Sequence, residues 1–240
     1  MIKKLVTLLS LAALAVGVGS TQADAALCTP GLASAYEALG AAGCQIGDKT
    51  FSEFDFTSTE VLDSQIIITP GANILTAGDL GFRLTINGLV ALGPNDSTDR
   101  LLHYHVAVDD PNFLISDAHL AFTGGATGPG GLAVVDETLC AAGGCVNKIL
   151  TVFDFPFGTQ VSDEVDFKGV SALDISKDML VFASGVGDFS SISGVDQTFT
   201  QITATTQITP TPEPATLLLL GSGLVGAGIF GRKRLAPKQR

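Results

Sequence analysis

Three histidines are the first residues in this sequence whose type and spacing could support chemistry. His103 and His105 stand two positions apart in LLHYHVAVDD, a spacing that puts both imidazoles on one face of a β-strand. His119 follows one predicted hairpin later, and imidazoles from two neighbouring strands can bind a metal ion. No carboxylate occupies a matching inward position, so the pattern favours histidines on a polar strand face and predicts no metal site.

Acidic side chains form two clusters that could supply oxygen ligands for calcium. The clusters comprise Asp96, Asp99, Asp109 and Asp110, and then Asp163, Glu164 and Asp166. Neither segment has the D-x-[DN]-x-[DN]-G order of a calcium-binding loop. A solvated acidic face is therefore the favoured interpretation, and a calcium-dependent adhesive module is an alternative function.

The sequence lacks the common motifs for hydrolysis and phosphate binding. It contains no G-x-S-x-G segment, and the glycine-rich residues 123–131 lack the lysine of a phosphate loop. Paired carboxylates for glycoside cleavage stay open, because their separations cannot be read from sequence. The sequence has no tryptophan and only two tyrosines, Tyr36 and Tyr104, to stack on sugars, and phenylalanine could substitute for them in part. We expect a non-enzymatic protein without catalytic residues or cofactors; a secreted polysaccharide-binding or polysaccharide-active protein is the alternative.

Residues 1–25 have the order of a secretory signal peptide. Lys3 and Lys4 precede an apolar run that starts at Leu5, and small residues around Asp24 supply a cleavage site. Beyond them, residues 26–212 hold 22 acidic and six basic side chains, a net charge near −16. Such a surface repels nucleic acid and anionic lipid, so we expect no nucleic-acid partner.

Four cysteines occur as two close pairs, Cys28 with Cys44 and Cys140 with Cys145. An even count in an exported chain indicates two disulfides, although the connectivity cannot be deduced from sequence alone. The spacings differ from those of zinc knuckles, and the intervening loops contain no histidine. The four thiols therefore favour structural disulfides over a metal site.

The carboxyl-terminal residues 209–240 combine a proline-rich strip, an apolar segment and a basic end. Residues 215–231 are 17 uncharged positions, which as a helix would reach about 25 Å, close to the roughly 30 Å of a bilayer core. Positive residues stay on the cytoplasmic side, so Arg232, Lys233 and Arg234 predict a transmembrane helix with its carboxyl end inside. The prolines upstream keep the chain extended and exposed outside.

Pro212-Glu213-Pro214, the uncharged segment and Arg232-Lys233-Arg234, in this order at the carboxyl end, resemble the PEP-CTERM sorting signal. That signal occurs on exported proteins of Gram-negative bacteria that make extracellular polysaccharide. The resemblance implies recognition by an exosortase, a membrane-embedded peptidase or transpeptidase, and removal of the tail near the triplet. It further implies a transient anchor in the inner membrane, release to the cell envelope or extracellular matrix, and a link to exopolysaccharide or biofilm.

Residues 26–208 read as one exported domain made mainly of strands. Many short alternating segments separated by Gly, Pro, Asn and Asp predict an antiparallel β-sandwich, jelly-roll-like, with one short amino-terminal helix over residues 32–43. In TFSEFDF, strict alternation puts Phe54 and Phe56 on one face and Phe51 on the other. In GFRLTING it puts Phe82, Leu84 and Ile86 together.

Overall fold

A computed structural model of the protein describes residues 25–58, 62–72, 74–75 and 78–204. The predicted signal peptide, apart from residue 25, and the predicted tail lie outside these ranges. The prediction of a membrane helix over residues 215–231 therefore concerns residues that the structure does not describe. Within the ranges that it does describe, no helix is long and apolar enough to cross a membrane.

Strands dominate the described chain, as predicted. In chain order they are β1 (Ala26–Leu27), β2 (Gly31–Leu32), β3 (Cys44–Ile46), β4 (Lys49–Thr57), β5 (Ile66–Ala72), β6 (Leu80–Ile86), β7 (Val90–Leu92), β8 (Asp96–Val108), β9 (Phe113–Thr127), β10 (Gly131–Ala141), β11 (Gly144–Cys145), β12 (Leu150–Phe155), β13 (Gly158–Gln160), β14 (Ser162–Val170), β15 (Ala172–Ala183), β16 (Phe189–Phe199) and β17 (Gln201–Thr203). The helices are α1 (Ala33–Glu37) and two 3₁₀ turns, Gly40–Ala42 and Asp63–Gln65.

These strands form two sheets in the part of the chain that the structure describes. The first sheet has the order β1-β3-β4-β8-β15-β10-β12-β13, with β11 paired to β10. The second has the order β14-β9-β16-β6-β5-β2, with β17 paired to β9 and β7 to β16. All pairs are antiparallel except β1 with β3. The prediction of an antiparallel β-sandwich is confirmed.

Alternating side chains bury one face of each sheet against the other. On β15, Leu173, Ile175, Met179 and Val181 are buried, while Asp174 and Asp178 between them point to solvent. On β6, Phe82, Leu84 and Ile86 are buried together, as predicted. At about 1.5–3 kcal/mol for each fully buried large apolar side chain, this shared face is the main source of stability.

An aromatic cluster between the sheets brings Phe51, Phe54 and Phe56 to the same side of β4, so the predicted opposite orientation of Phe51 is wrong. The reason is a β-bulge: the register with β8 shifts between Ser52 and Asp55, and Glu53 has a φ of 56°. The extra residue on β4 reverses the alternation once. Phe51 and Phe54 then both contact Phe82, at ring-centroid distances of 5.7 and 5.8 Å.

The predicted helix over residues 32–43 is shorter than expected. Helix α1 ends at Glu37, and a 3₁₀ turn over Gly40–Ala42 follows before β3 begins at Cys44. Gly40 has a φ of 54°, which ends the α-helical conformation, and Gly43 has a φ of 61°. A Cβ atom at Gly43 would lie 2.3 Å from the Phe51 carbonyl oxygen, so only glycine allows this close approach to β4.

Candidate functional site

The two disulfides join the pairs that lie close in sequence. Cys28–Cys44 fastens the first described residues to β3, where the Cys28 N–H also donates to the Gln45 carbonyl at 2.9 Å. Cys140–Cys145 closes the β10–β11 hairpin, in which these two residues are register partners. Both cross-links are local, so they brace an amino-terminal segment and a hairpin.

The three histidines do not form one site, and the predicted hairpin between them is absent. Strands β8 and β9 are consecutive in the chain but belong to different sheets. His103 and His105 lie on the outer face of the first sheet, and His105 Nδ1 is 2.9 Å from Asp174 Oδ1. His119 lies in the second sheet, with its Nδ1 3.3 Å from Glu164 Oε2. Across the described ranges, no group of three or more His, Cys, Asp or Glu residues is arranged to hold a metal ion.

The two predicted acidic clusters are divided among separate local contacts. Asp109 accepts hydrogen bonds from Thr50 and Gln45, each at 2.6 Å. Asp163 accepts a bond of 2.6 Å from Lys148 Nζ. Asp178, which the sequence places far from both clusters, instead lies near Asp99 on one side and Asp136 on the other. Burial, and then the charges of Asp99 and Asp136, raise the pKa of Asp178 above its ordinary value.

A row of phenylalanines, which we call the phenylalanine row, faces outward at the β12–β13 edge of the first sheet. It consists of Phe153, Phe155 and Phe157, and Phe157 is 85% exposed. The ring centroids of Phe153 and Phe155 are 5.2 Å apart, and those of Phe155 and Phe157 are 6.5 Å apart. Phe153 pairs in register with Val134 and Gln160, so the row combines an apolar surface with polar neighbours. The row could have been predicted from the sequence, because TVFDFPF has a phenylalanine at every second position.

Three polar side chains, which we call the buried triad, meet inside the sandwich: Glu137 on β10, Lys177 on β15 and Gln197 on β16. All three are fully buried. Lys177 Nζ donates a hydrogen bond to Gln197 Oε1 at 2.7 Å and contacts Glu137 Oε2. Burial lowers the pKa of the Lys177 amine well below its ordinary value, because a charged amine loses its hydration there.

Apolar residues of the same strands enclose the buried triad. Glu137 and Lys177 are register partners, flanked in their sheet by Leu150 and Leu102. Gln197 lies between Phe82 and Leu120 in the other sheet. This site was not predicted from the sequence. Its signal was present, because Lys177 and Glu137 occupy inward positions of two otherwise apolar alternations, ISKDMLV and VDETL.

Comparison with known proteins identifies a motif near the carboxyl end of the chain. Residues 210–234 match the family model of the PEP-CTERM protein-sorting motif. No curated protein matches the chain in sequence. These matched residues include Pro212, Glu213 and Pro214 and the basic Arg232, Lys233 and Arg234, all of which lie outside the described residues.

Two solved structures align with part of the chain. The enzymatically active domain of tailspike protein 4 from bacteriophage CBA120 is 14% identical over 64% of this chain, with a TM-score of 0.25, and this chain covers only 20% of it. Endoglucanase 3 of family GH12 from Trichoderma harzianum is 11% identical over 62% of this chain and 98% of its own, with a TM-score of 0.21. At these scores neither structure assigns a fold or an activity. What the comparisons show concerns residues 210–234: the chain carries a PEP-CTERM protein-sorting motif there.

Proposed function

We propose that the protein is a non-enzymatic component of the bacterial cell envelope or extracellular matrix, associated with exopolysaccharide or biofilm. The observation that carries the proposal is the sorting motif at residues 210–234, which implies export and processing by an exosortase in a Gram-negative bacterium. The signal peptide directs residues 26–208 outward. The tail then holds them at the inner membrane until it is removed near Pro212-Glu213-Pro214.

The physical properties of the cargo support this proposal. Two disulfides suit an oxidising compartment outside the cytoplasm. The acidic surface of residues 26–212 keeps the released domain soluble and away from anionic lipid. None of these properties requires a catalytic centre.

Substitution of the sorting triplet tests the proposal. In the native host, the full-length chain with Pro212, Glu213 and Pro214 all changed to alanine should accumulate in the inner membrane at its unprocessed length. The wild type should reach the envelope or medium in shortened form. Thr211→Ala, next to the triplet, is the matched control and should behave as the wild type does. Release of the triplet variant at the wild-type level and length would refute processing at this site.

The phenylalanine row favours a second candidate function, binding of an extracellular polysaccharide. Aromatic rings stack on the apolar faces of sugars, and an exposed ring such as Phe157 is available for such contact. Gln160 and Thr151 beside the row add hydrogen-bonding groups, and Gln160 Nε2 donates to the Thr151 carbonyl at 2.8 Å. This candidate explains why strand β12 and the turn that follows it carry three rings where solubility favours polar residues.

Retention on the exopolysaccharide of the native host tests this second function. Phe157→Ala should weaken binding about five- to tenfold if its ring stacks on a sugar, the equivalent of roughly 1–1.4 kcal/mol. Phe189→Ala is the matched control, because Phe189 is 37% exposed on the other sheet. Equal binding by Phe157→Ala and the wild type would exclude the row as a sugar platform. Release of reducing sugar ends from the polysaccharide by the wild-type protein, with no other enzyme added, would contradict the non-enzymatic role.

A further inference from the structure

We propose that Lys177 and Gln197 form an intramolecular isopeptide bond that joins the two sheets covalently, with Glu137 carrying the proton. The reacting groups are members of the buried triad, and they come from strands on opposite sides of the core. The inference is independent of the sorting motif and of the phenylalanine row.

The geometry brings a nucleophile to an amide. Lys177 Nζ is 2.7 Å from Gln197 Oε1, which sets it roughly 3.5 Å from the amide carbon Cδ, at the upper end of near-attack distances. Glu137 Oε2 contacts the same Nζ. Amine, amide and carboxyl group are thus in contact before any reaction, and close packing excludes water as a competing nucleophile.

Protonation state favours the attack. Only a neutral amine has the lone pair that forms the new bond, and burial, which lowers the pKa of Lys177, supplies that form. An apolar interior disfavours the separated charges of an ammonium and a carboxylate. Leu102 and Leu150 beside the pair, and Phe82 and Leu120 beside Gln197, provide that interior.

The step balances without an oxidant or cofactor. Nζ of Lys177 attacks Cδ of Gln197, and Glu137, which holds the carboxyl proton of the uncharged pair, donates it to Nε2. The bond from Cδ to Nε2 breaks, ammonia leaves, and Glu137 takes up the proton that Nζ loses. The products are one secondary amide, one ammonia molecule and Glu137 in its starting form.

Two unsatisfied atoms also point to this reaction. Gln197 Nε2 and Glu137 Oε1 are buried and have no hydrogen-bond partner among the residues that the structure describes. A buried amide donor without a partner destabilises the fold. The reaction expels that same nitrogen as ammonia, so the product no longer contains it.

Peptide mapping of the protein purified from its native host and then denatured tests the inference. Trypsin should fail to cut after Lys177, because an acylated lysine is no longer a substrate. The peptide that starts at Gly169 should be about 17 Da lighter than its sequence, the mass of one ammonia. Cleavage before aspartates should yield a branched product that joins residues 174–177 to the peptide starting at Asp196. Efficient cleavage after Lys177 with an unshifted mass would overturn the inference.

Lys49 provides an internal control in the same digest. Its Nζ lies 2.8 Å from Gln201 Oε1, but its carboxylate partner Asp48 is 30% exposed to solvent. Trypsin should cut after Lys49, which shows that the denatured chain is accessible. Glu137→Gln keeps the shape of the side chain but removes the proton carrier, and should leave Lys177 free. An isopeptide bond at the wild-type level in Glu137→Gln would refute the role of Glu137 as proton carrier. If this variant fails to fold, the peptide map of the wild-type protein still tests whether the bond forms.

Discussion

Two aspartates on the surface respond to their surroundings in opposite directions. Asp178 lies near Asp99 and Asp136, and burial and these charges raise its pKa. Burial alone would raise the pKa of Asp163 as well. Hydrogen bonds from Lys148 and from the N–H groups of Thr151 and Glu164 outweigh that effect, so the pKa of Asp163 is lowered. Folding therefore disfavours the ionised form of Asp178 and favours the ionised form of Asp163.

Asp178→Asn should raise the Tm at pH 7. A raised folded-state pKa means that the stability contributed by this group is fully present below the unfolded pKa and falls as pH rises through the folded pKa. The neutral asparagine does not suffer that loss. Thermal unfolding from pH 7 downward should show the two Tm values converging near pH 4, about the pKa of an unfolded aspartate. A lower Tm for the variant at pH 7 would contradict the role of charge repulsion.

Asp163→Asn is the matched substitution, and it should change the Tm at pH 7 in the opposite direction. The lowered folded-state pKa means that the stability from Asp163 is present above the unfolded pKa and is lost as pH falls through the folded pKa. The variant should therefore have a lower Tm than the wild type at pH 7, with the difference shrinking in acid. The same pH series measures it, and equal Tm values at pH 7 would show that the Lys148 contact contributes no stability.

Strand β4 shows at the scale of an element what sequence periodicity cannot reveal. Period-two alternation correctly placed Phe82, Leu84 and Ile86 on one face of β6, because β6 has an unbroken ladder with both of its neighbours. It failed at Phe51, because a bulge depends on the pairing of Ser52 and Asp55 with β8, a partner about 50 residues away. Helix α1 was predicted too long because Gly40 and Gly43 were counted as helical.

Two deletions in β4 test the bulge. Removal of Glu53 should cost less than about 1 kcal/mol, because it removes a left-handed residue and leaves Phe51, Phe54 and Phe56 in regular alternation toward the core. Removal of Asp55 instead turns Phe56 outward and should cost about 2 kcal/mol or more. Urea unfolding of both variants measures the difference. Similar losses in the free energy of unfolding of the two deletion variants would contradict the assigned bulge.

The two disulfides should contribute unequally to stability. Cys28–Cys44 spans 16 positions and Cys140–Cys145 spans five. A longer loop restricts the unfolded chain more, so replacing the first pair by alanine should cost about 3 kcal/mol and replacing the second about 2 kcal/mol. Urea unfolding with equal m values checks the order, and a larger loss from the Cys140–Cys145 replacement would contradict the loop-length account.

In the whole molecule, sequence and structure reveal different features of the protein. The tail was recognisable from sequence, because sorting depends on linear features: the triplet Pro212-Glu213-Pro214, an uncharged span and the basic Arg232-Lys233-Arg234. The buried triad was not, because Lys177 and Gln197 meet only when two sheets pack. The histidines, adjacent in a predicted hairpin, separate for the same reason.

The mature protein should consist of the β-sandwich without its two ends. Intact-mass and terminal-peptide analysis of the protein taken from the envelope and medium of its native host tests it most directly. We expect a chain that begins near Ala26 and ends near Pro212, with residues 215–240 missing. Recovery of the extracellular protein with residues 215–240 attached would contradict it.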